Sequence, residues 1–388
     1  MANTLTLTAL SENIFRARDK VARELVGFIP AVMLNSAADG VSLNGNVVSF
    51  RTSQPTLNTS YTPSMTIPAG DDQTIAGDTM QIGQTANVKI PITGEQFKQI
   101  SNTVGGQAVI DDMFAQGIRT LVNAIESHLG TVIKNGSSRA YGTAGTAPFA
   151  SDHKPLNYLR QILVDNGCPM DGQVSAVMNS SAGTNLRNLS NLYKVNESGN
   201  DMLIRQGVLQ DISGFMLRES AGTASHTKGT AASSTTNAAG YAKNAAALTL
   251  ASAGTGTLLP GDCVTFAGDT NIYVAASGSN DVSAGGILTL NRPGLQQAMS
   301  AATKAITVGA SYAANMAFHR SAVELAMRPP SMPPGGDAAV DRMTVADDKS
   351  PLVFEVAVYK GYGMVMFDLT VFYQAKVWKP EFVATLLG

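Results

Sequence analysis

Apolar residues recur at three- and four-residue steps over 110–134, placing Phe114, Ile118, Leu121, Ile125, Leu129 and Val132 on one face. That is the period of an amphipathic helix. At about 1.5 Å per residue it is nearly 40 Å long, a spine rather than a filler of one core. Asp111 and Asp112 near its start and Lys134 in its last turn suit the helix dipole, and Asn135-Gly136 ends it. A second stripe, Ile14, Val21, Leu25 and Val26, predicts a helix over 11–27 with Ser11 as N-cap and Gly27 just past the end. Its polar side carries Glu12, Arg16, Arg18, Asp19, Lys20, Arg23 and Glu24. A third helix is predicted from a Ser151 cap to about Asn166, with Leu156, Leu159, Ile162 and Leu163 inward.

Elsewhere the pattern is that of strands. NGNVVSFRTSQP (44–55) and QTANVKIPIT (84–93) alternate, and residues 56–86 between them have little to bury. Strand, long polar excursion and returning strand describe an extended hairpin arm over 41–93, with Arg51 on its first strand. A loop of this length is functional or disordered when it occurs in a compact domain, and an arm that cannot pack on its own body packs on a neighbour. Asp71, Asp72 and Asp78 read as its charged tip, available to a basic patch next door. VSAVMN (174–179) is a short strand, 180–202 is polar, and GVLQDISGFMLRES (207–220) reads as a turn and strand. Residues 221–247 are low in complexity and poor in large apolar side chains. ALTLA, PGDCVTFAG, TNIYVAA and GGILTLN then form short strands between turn residues, the look of a small β-barrel inserted in a host domain. Its loop 268–286 presents Asn280 and Asp281. NMAFHRSAVELAMRPPSMPP (315–334) predicts a strand or turn, a short helix and a Pro-rich exit. Residues 352–378 predict two long strands around Gly361–Gly363, which need the strands flanking arm and spine as sheet partners.

Composition sharpens this. Charged residues are 14% against 44% hydrophobic, below the roughly 25% charged of ordinary domains, so much of the surface is meant to be covered. A net charge of −2 gives no global basic field for gripping nucleic acid. Cys168 and Cys263 lie too far apart for a zinc pair or a disulfide framework. The N-terminal MANTLTLTAL lacks the pattern of a signal peptide, and no apolar run approaches a membrane span. These features predict a cytosolic protein.

Catalytic chemistry is sparse. His153 stands in SDHKPLN beside Ser151, Asp152 and Lys154, but members of a triad come from separate elements and face one another. His128 interrupts the spine stripe as a hydrogen-bonded packing residue, and His226 and His319 are isolated. GTAGTAPF (142–149) lacks the Lys-Ser/Thr end of a phosphate loop, and Asp71, Asp72 and Asp78 lack the spacing of a calcium loop. No catalytic residue, metal or cofactor is expected.

The order of parts resembles the major capsid proteins of tailed bacteriophages, the Hong Kong 97-like fold. The carriers are NVKIPITGEQFKQI leading into the spine helix, VSAVMNSS with GVLQDISGFMLRES, and PGDCVTFAG inside the insert. AFHRSAVELAMRPPSMPPGG and a closing β segment ending in KPEFVATLLG complete the set. Within that family the chain is similar to the branch with an inserted β-barrel, that of coat proteins of Salmonella short-tailed phages of the P-twenty-two type. The resemblance implies an α+β chain with an N-terminal arm (1–40), an extended hairpin or E-loop (41–93) and a peripheral domain with the spine helix (94–150). An axial domain in two parts (151–221 and 301–350) would flank the inserted barrel (222–300), and a peripheral sheet (351–388) would close the chain. It also implies hexamers and pentamers of an icosahedral head around double-stranded DNA, assembled in host cytoplasm, with scaffolding, portal and decoration proteins as partners. Arg51, Asp71, Asp72, Asp78, Asn280 and Asp281 become subunit-contact candidates. Glu12, Arg16, Arg18, Asp19, Lys20 and Arg23 become candidates facing the interior or scaffold. Some relatives join a Lys to an Asn between subunits; Lys89 and Lys98 flank the arm's base here, but the sequence supplies no partner, so crosslinking is not expected.

Two other classes fit the sequence less well. A secreted adhesin or surface-layer protein accounts for the Ala, Thr and Gly content but not for the N-terminus or the spine helix. A hydrolase centred on His153 lacks every other component.

Overall fold

The apolar stripe of the spine closes on a sheet, and this packing organises the chain. The computed structural model describes residues 14, 27–35, 46–52, 63–67, 75–102, 106–194, 205–207, 209, 211–347 and 350–388. In order, the first elements are β1 (Met33–Asn35), β2 (Asn46–Thr52), β3 (Ile75–Gln81), β4 (Gln84–Thr93), α1 (Gly94–Asn102), α2 (Gly106–Asn135) and β5 (Arg139–Tyr141). Then come α3 (Lys154–Asp165), β6 (Val174–Met178), α4 (Ser180–Arg187), α5 (Ser190–Tyr193), β7 (Met216–Glu219) and β8 (Ser225–His226). β9 (Ala247–Leu250), β10 (Cys263–Phe266), β11 (Ile272–Ser277), β12 (Gly286–Leu290) and β13 (Ile306–Val308) follow. β14 (Tyr312–His319), β15 (Val323–Arg328), β16 (Ala339–Asp347), β17 (Ser350–Gly361), β18 (Met364–Val377) and β19 (Val383–Leu387) complete the chain.

One sheet runs β1-β15-β18-β17-β16, with β4 also paired to β18. Along β18 burial alternates, so Phe367, Leu369, Val371, Tyr373 and Ala375 point inward, as a half-covered antiparallel strand requires. The spine α2 covers that face, with Phe114 edge-on to Phe367 at 5.2 Å between ring centroids. Its buried stripe is broader than expected, taking in Ala115 and Val122, and Ile133 rather than Val132 is the fully buried residue of its last turn. The helix begins at Gly106, so Asp111 and Asp112 lie past the first turn and do little for its dipole.

The second sheet runs β13-β10-β11-β5-β19-β14-β6-β7, with β8 on β14, β12 on β11 and β9 on β12. α3 packs on it through Leu156, Leu159, Ile162 and Leu163, making a second core with Phe149, Leu186 and Phe215. A third core holds the insert together, from Leu248 and Leu250 to Tyr273, Leu288 and Ile306. Residues 234–237 hydrogen-bond both to the β9 side, through Thr249 and Ala251, and to the β13 side, through Lys304 and Ile306. The pairings of this β-rich unit run to Val308, beyond residue 300.

Several expectations change. The segment 315–334 contains no α-helix: β14 and β15 are joined by a 3-10 turn at Arg320–Ala322. Every residue of β15 is buried, and a strand covered on both faces loses the alternation that reveals it. The helix at 154–165 is capped at His153, not Ser151, with the Asp152 carboxylate accepting from Lys154 N–H. The polar run after 180 holds the short helices α4 and α5, the first capped by Asn179, whose side chain accepts from Ala182 N–H at 2.8 Å. The C-terminal strand β19 leaves the β17–β18 hairpin and lies between β5 and β14 in the other sheet.

Candidate assembly surface

Three polar joints, the first two of them buried, hold the entering segment, the insert and the arm on the body of the fold. The first is centred on Glu126 of the spine. Its Oε1 accepts from the N–H groups of Gly27 (2.8 Å) and Phe28 (2.7 Å) and from the Ser220 hydroxyl (2.7 Å), and Oε2 accepts from Ile29 N–H (3.1 Å). One carboxylate thus satisfies three consecutive backbone donors of the entering segment. Burial pushes its pKa up, and the hydrogen bonds oppose that shift without cancelling it. The fit is tight: a Cβ on Gly27 would stand 2.6 Å from the Ser220 Cβ, and one on Gly222 would stand 2.8 Å from the Glu126 Cγ. Phe28 then stacks on Phe318 in the main core, and β1 pairs in parallel with β15. Sequence reasoning missed Glu126; the signal was an acid four residues after the buried Val122 and three before the buried Leu129.

The second joint seats the insert on the spine. Lys134 Nζ lies 3.2 Å from His226 Nδ1, and His226 Nε2 lies 2.8 Å from Asp262 Oδ1. Asp262 also accepts from the N–H groups of Gly229 and Leu259, and the neighbouring Tyr312 hydroxyl donates to Gly261 O at 2.8 Å. All three charged or titratable members are buried. Lys134 is shifted down by burial; Asp262 ends below its usual value because its hydrogen bonds and His226 outweigh its burial. His226 is therefore not isolated, since residues 36 and 92 positions away meet at its ring.

The third joint fixes the root of the arm. β2 and β3 form a two-stranded ribbon in full antiparallel register from Asn46–Gln81 to Thr52–Ile75. At its base Met80 and Ile82 insert against Ala326, Phe372 and Trp378. Lys376 bonds to the Asp78 carboxylate and lies over the Trp378 ring, whose Nε1–H donates to Glu324. Asp78 therefore sits at the arm's root, paired within its own chain, rather than at a charged tip. Beyond the root, Met65 and Ile67 stand fully exposed.

The remaining predicted contact residues are dispersed. Asp71, Asp72, Glu12, Arg16, Arg18, Asp19, Lys20 and Arg23 lie outside the described residues, as does the side chain of Arg51. Asn280 is exposed in the turn between β11 and β12. Asp281 beside it caps the short turn 282–284, accepting from Ser283 N–H (3.0 Å) and Ser283 Oγ (2.6 Å), which lowers its pKa. Lys89 lies opposite Asp368 in the β4–β18 register.

The catalytic decoys stay apart. His153 meets Asn191 at 3.3 Å, and the exposed Ser151 does not bond to it. His128 packs edge-on against Tyr373 at 5.4 Å, but its Nε2 has no hydrogen-bond partner, so it is a packing residue without the expected bond. His319 bonds to Asp171 and Ser321. Among the described residues no cluster of three or more His, Cys, Asp or Glu is placed to hold a metal, and no helix is long and apolar enough to cross a membrane.

No family model matches the chain, and no curated protein is similar to it in sequence. The chain shares its fold with a chain of Mycobacterium phage Che8. The two are 14% identical, with a TM-score of 0.53 over 94% of this chain and 91% of that one. A capsid structure of cyanophage P-SCSP1u is similar at a TM-score of 0.49 and 10% identity, covering 92% of this chain and 86% of that one. The mature capsid of bacteriophage PhiM1 is similar at 0.49 and 10%, covering 93% and 86%.

Proposed function

We propose that this chain is a major capsid protein of a tailed bacteriophage, a structural and non-enzymatic subunit that assembles with copies of itself into the icosahedral head around double-stranded DNA. The observation that carries the reading is the fold shared over nearly the whole length of both chains with Mycobacterium phage Che8. The long spine, the ribbon-like arm with exposed apolar residues and the low charge supply what such a subunit needs. A stable protein contact buries on the order of 1,600 Å², and a projecting arm adds area without enlarging the body. Contacts of one surface patch with a different patch on the next copy close into rings and curved lattices.

In this reading 225–308 is a small β-barrel inserted in the axial domain. Support comes from its separate apolar core and from a circuit of pairings, β9-β12-β11-β10-β13, which residues 234–237 join back to β9. The segment before Gly27 faces the interior, where a scaffolding protein binds it during assembly in the host cytoplasm; portal and decoration proteins complete the particle. The test is co-expression with the scaffold and electron microscopy of the product. Closed shells are expected, and soluble monomers under every condition tried would refute the reading.

A further inference from the structure

The last turns of the spine carry two of the polar joints on one stripe. Glu126, Gly130 and Lys134 recur every four residues, so they share a face of α2 over about 12 Å. Glu126 holds the entering segment at Gly27 and Phe28, and Lys134 meets His226 at the seat of the insert. The chain that leads into the insert runs between the two joints along the same face. Ser220 donates to Glu126, Gly222 crosses the helix at Gly130, and His226 reaches Lys134.

The packing along this run is tight. A Cβ on Gly130 would stand 2.5 Å from Gly222 O and 3.4 Å from the Phe28 Cε2, and one on Gly27 would stand 2.8 Å from Glu219 O. Backbone meets backbone at both crossings, where a shift of one strand of chain must displace the other. The carboxylate is shared as well. The same Oε1 of Glu126 accepts from Gly27 and Phe28 on the entering side and from Ser220 on the insert side. Ser220 Oγ accepts in turn from Gly222 N–H at 3.0 Å, and Ala224 O accepts from Ala314 N–H at 3.0 Å, which sets β8 beside β14. Two separate joints on a rod would act independently. Two joints that share an acceptor oxygen and a close-packed connector move together.

We infer that the stripe Glu126–Gly130–Lys134 couples the segment entering at Gly27 to the insert, so that loosening either end loosens the other. Such a coupling is reciprocal. It belongs to the single chain and holds or fails whether or not shells form.

The test is hydrogen exchange on the full chain, read on peptides covering 27–35, 225–232 and 257–263, with the β17–β18 hairpin as reference. Phe28→Leu thins the stack on Phe318 at the entering end. It should speed exchange at least fivefold at 27–35 and also across the spine at 225–232 and 257–263, where the Gly229 and Leu259 amides bond to Asp262. His226→Gln should act in the other direction, speeding exchange at 27–35. In the double variant the combined effect should fall short of the product of the two, as for positions that share one network. Ile29→Val, at a buried position of the same end, takes the place of Phe28→Leu if that variant does not fold. Exchange that rises only beside each substitution, or effects that simply multiply in the double variant, would overturn the coupling. An equal rise in the β17–β18 hairpin would overturn it too, because it reports unfolding of the whole chain.

Discussion

Replacing Glu126 with Ala tests whether the spine anchors the entering segment. The substitution strands the N–H groups of Gly27, Phe28 and Ile29 and the Ser220 hydroxyl, all bonded to that carboxylate at 2.7–3.1 Å in a buried site. Each unsatisfied buried donor costs about 1–3 kcal/mol. The simple sum is an overestimate, because water enters the vacated space and the carboxylate's own desolvation, visible in its raised pKa, is relieved. A net loss of about 3–5 kcal/mol is expected, as when one member of a buried charged network is removed. Glu126→Gln keeps an oxygen for three donors and turns its NH2 toward Ile29, so it should cost less, about 1–3 kcal/mol. The assay is denaturant unfolding followed by the fluorescence of Trp378, the single tryptophan, together with hydrogen exchange at residues 27–35. Because the folded pKa is raised, this group's stabilisation is fully present below the ordinary Glu value of 4.5 and is lost as pH rises through the folded value. The Gln variant should lack that component. A loss under about 1 kcal/mol for the Ala variant, with unchanged exchange at 27–35, would refute the reasoning.

Three further outcomes follow from the same structure. Gly27→Ala pushes a methyl to 2.6 Å from the Ser220 Cβ and 2.9 Å from the Val177 Cγ1, and overpacking of this kind should lower stability by about 1–3 kcal/mol in a thermal melt. His226→Ala parts Lys134 from Asp262 and leaves both buried; a loss of about 3–5 kcal/mol is expected, with faster proteolysis inside 225–308 than in the β17–β18 hairpin. Burial lifts the Cys168 thiol to about 11 and the Cys263 thiol to about 12, so a thiol reagent at pH 8 should label neither in the native protein and both after unfolding.

Much of this architecture is written in local pattern. The spine at 106–135, the β17–β18 hairpin and the short strands of the insert follow from three-to-four and two-residue periodicities, which need only one covered face. The arm was only half legible: its returning strand is β3, inside the stretch read as a polar excursion, while the expected returning strand 84–93 is β4 and pairs with β18. Where both faces are covered the pattern vanishes, which is why the buried β15 read as a short helix. The joints were out of reach for another reason. Glu126 meets Gly27, His226 meets Asp262 and Asp78 meets Lys376 across separations of 99, 36 and 298 residues, and nothing local marks such pairs. Sequence alone determined the spine helix, the helix at 154–165 and the terminal hairpin, because each is a repeat of apolar positions along one element. Tertiary structure alone decided which charges are buried and where the arm is rooted, because those depend on what the fold brings together from far apart.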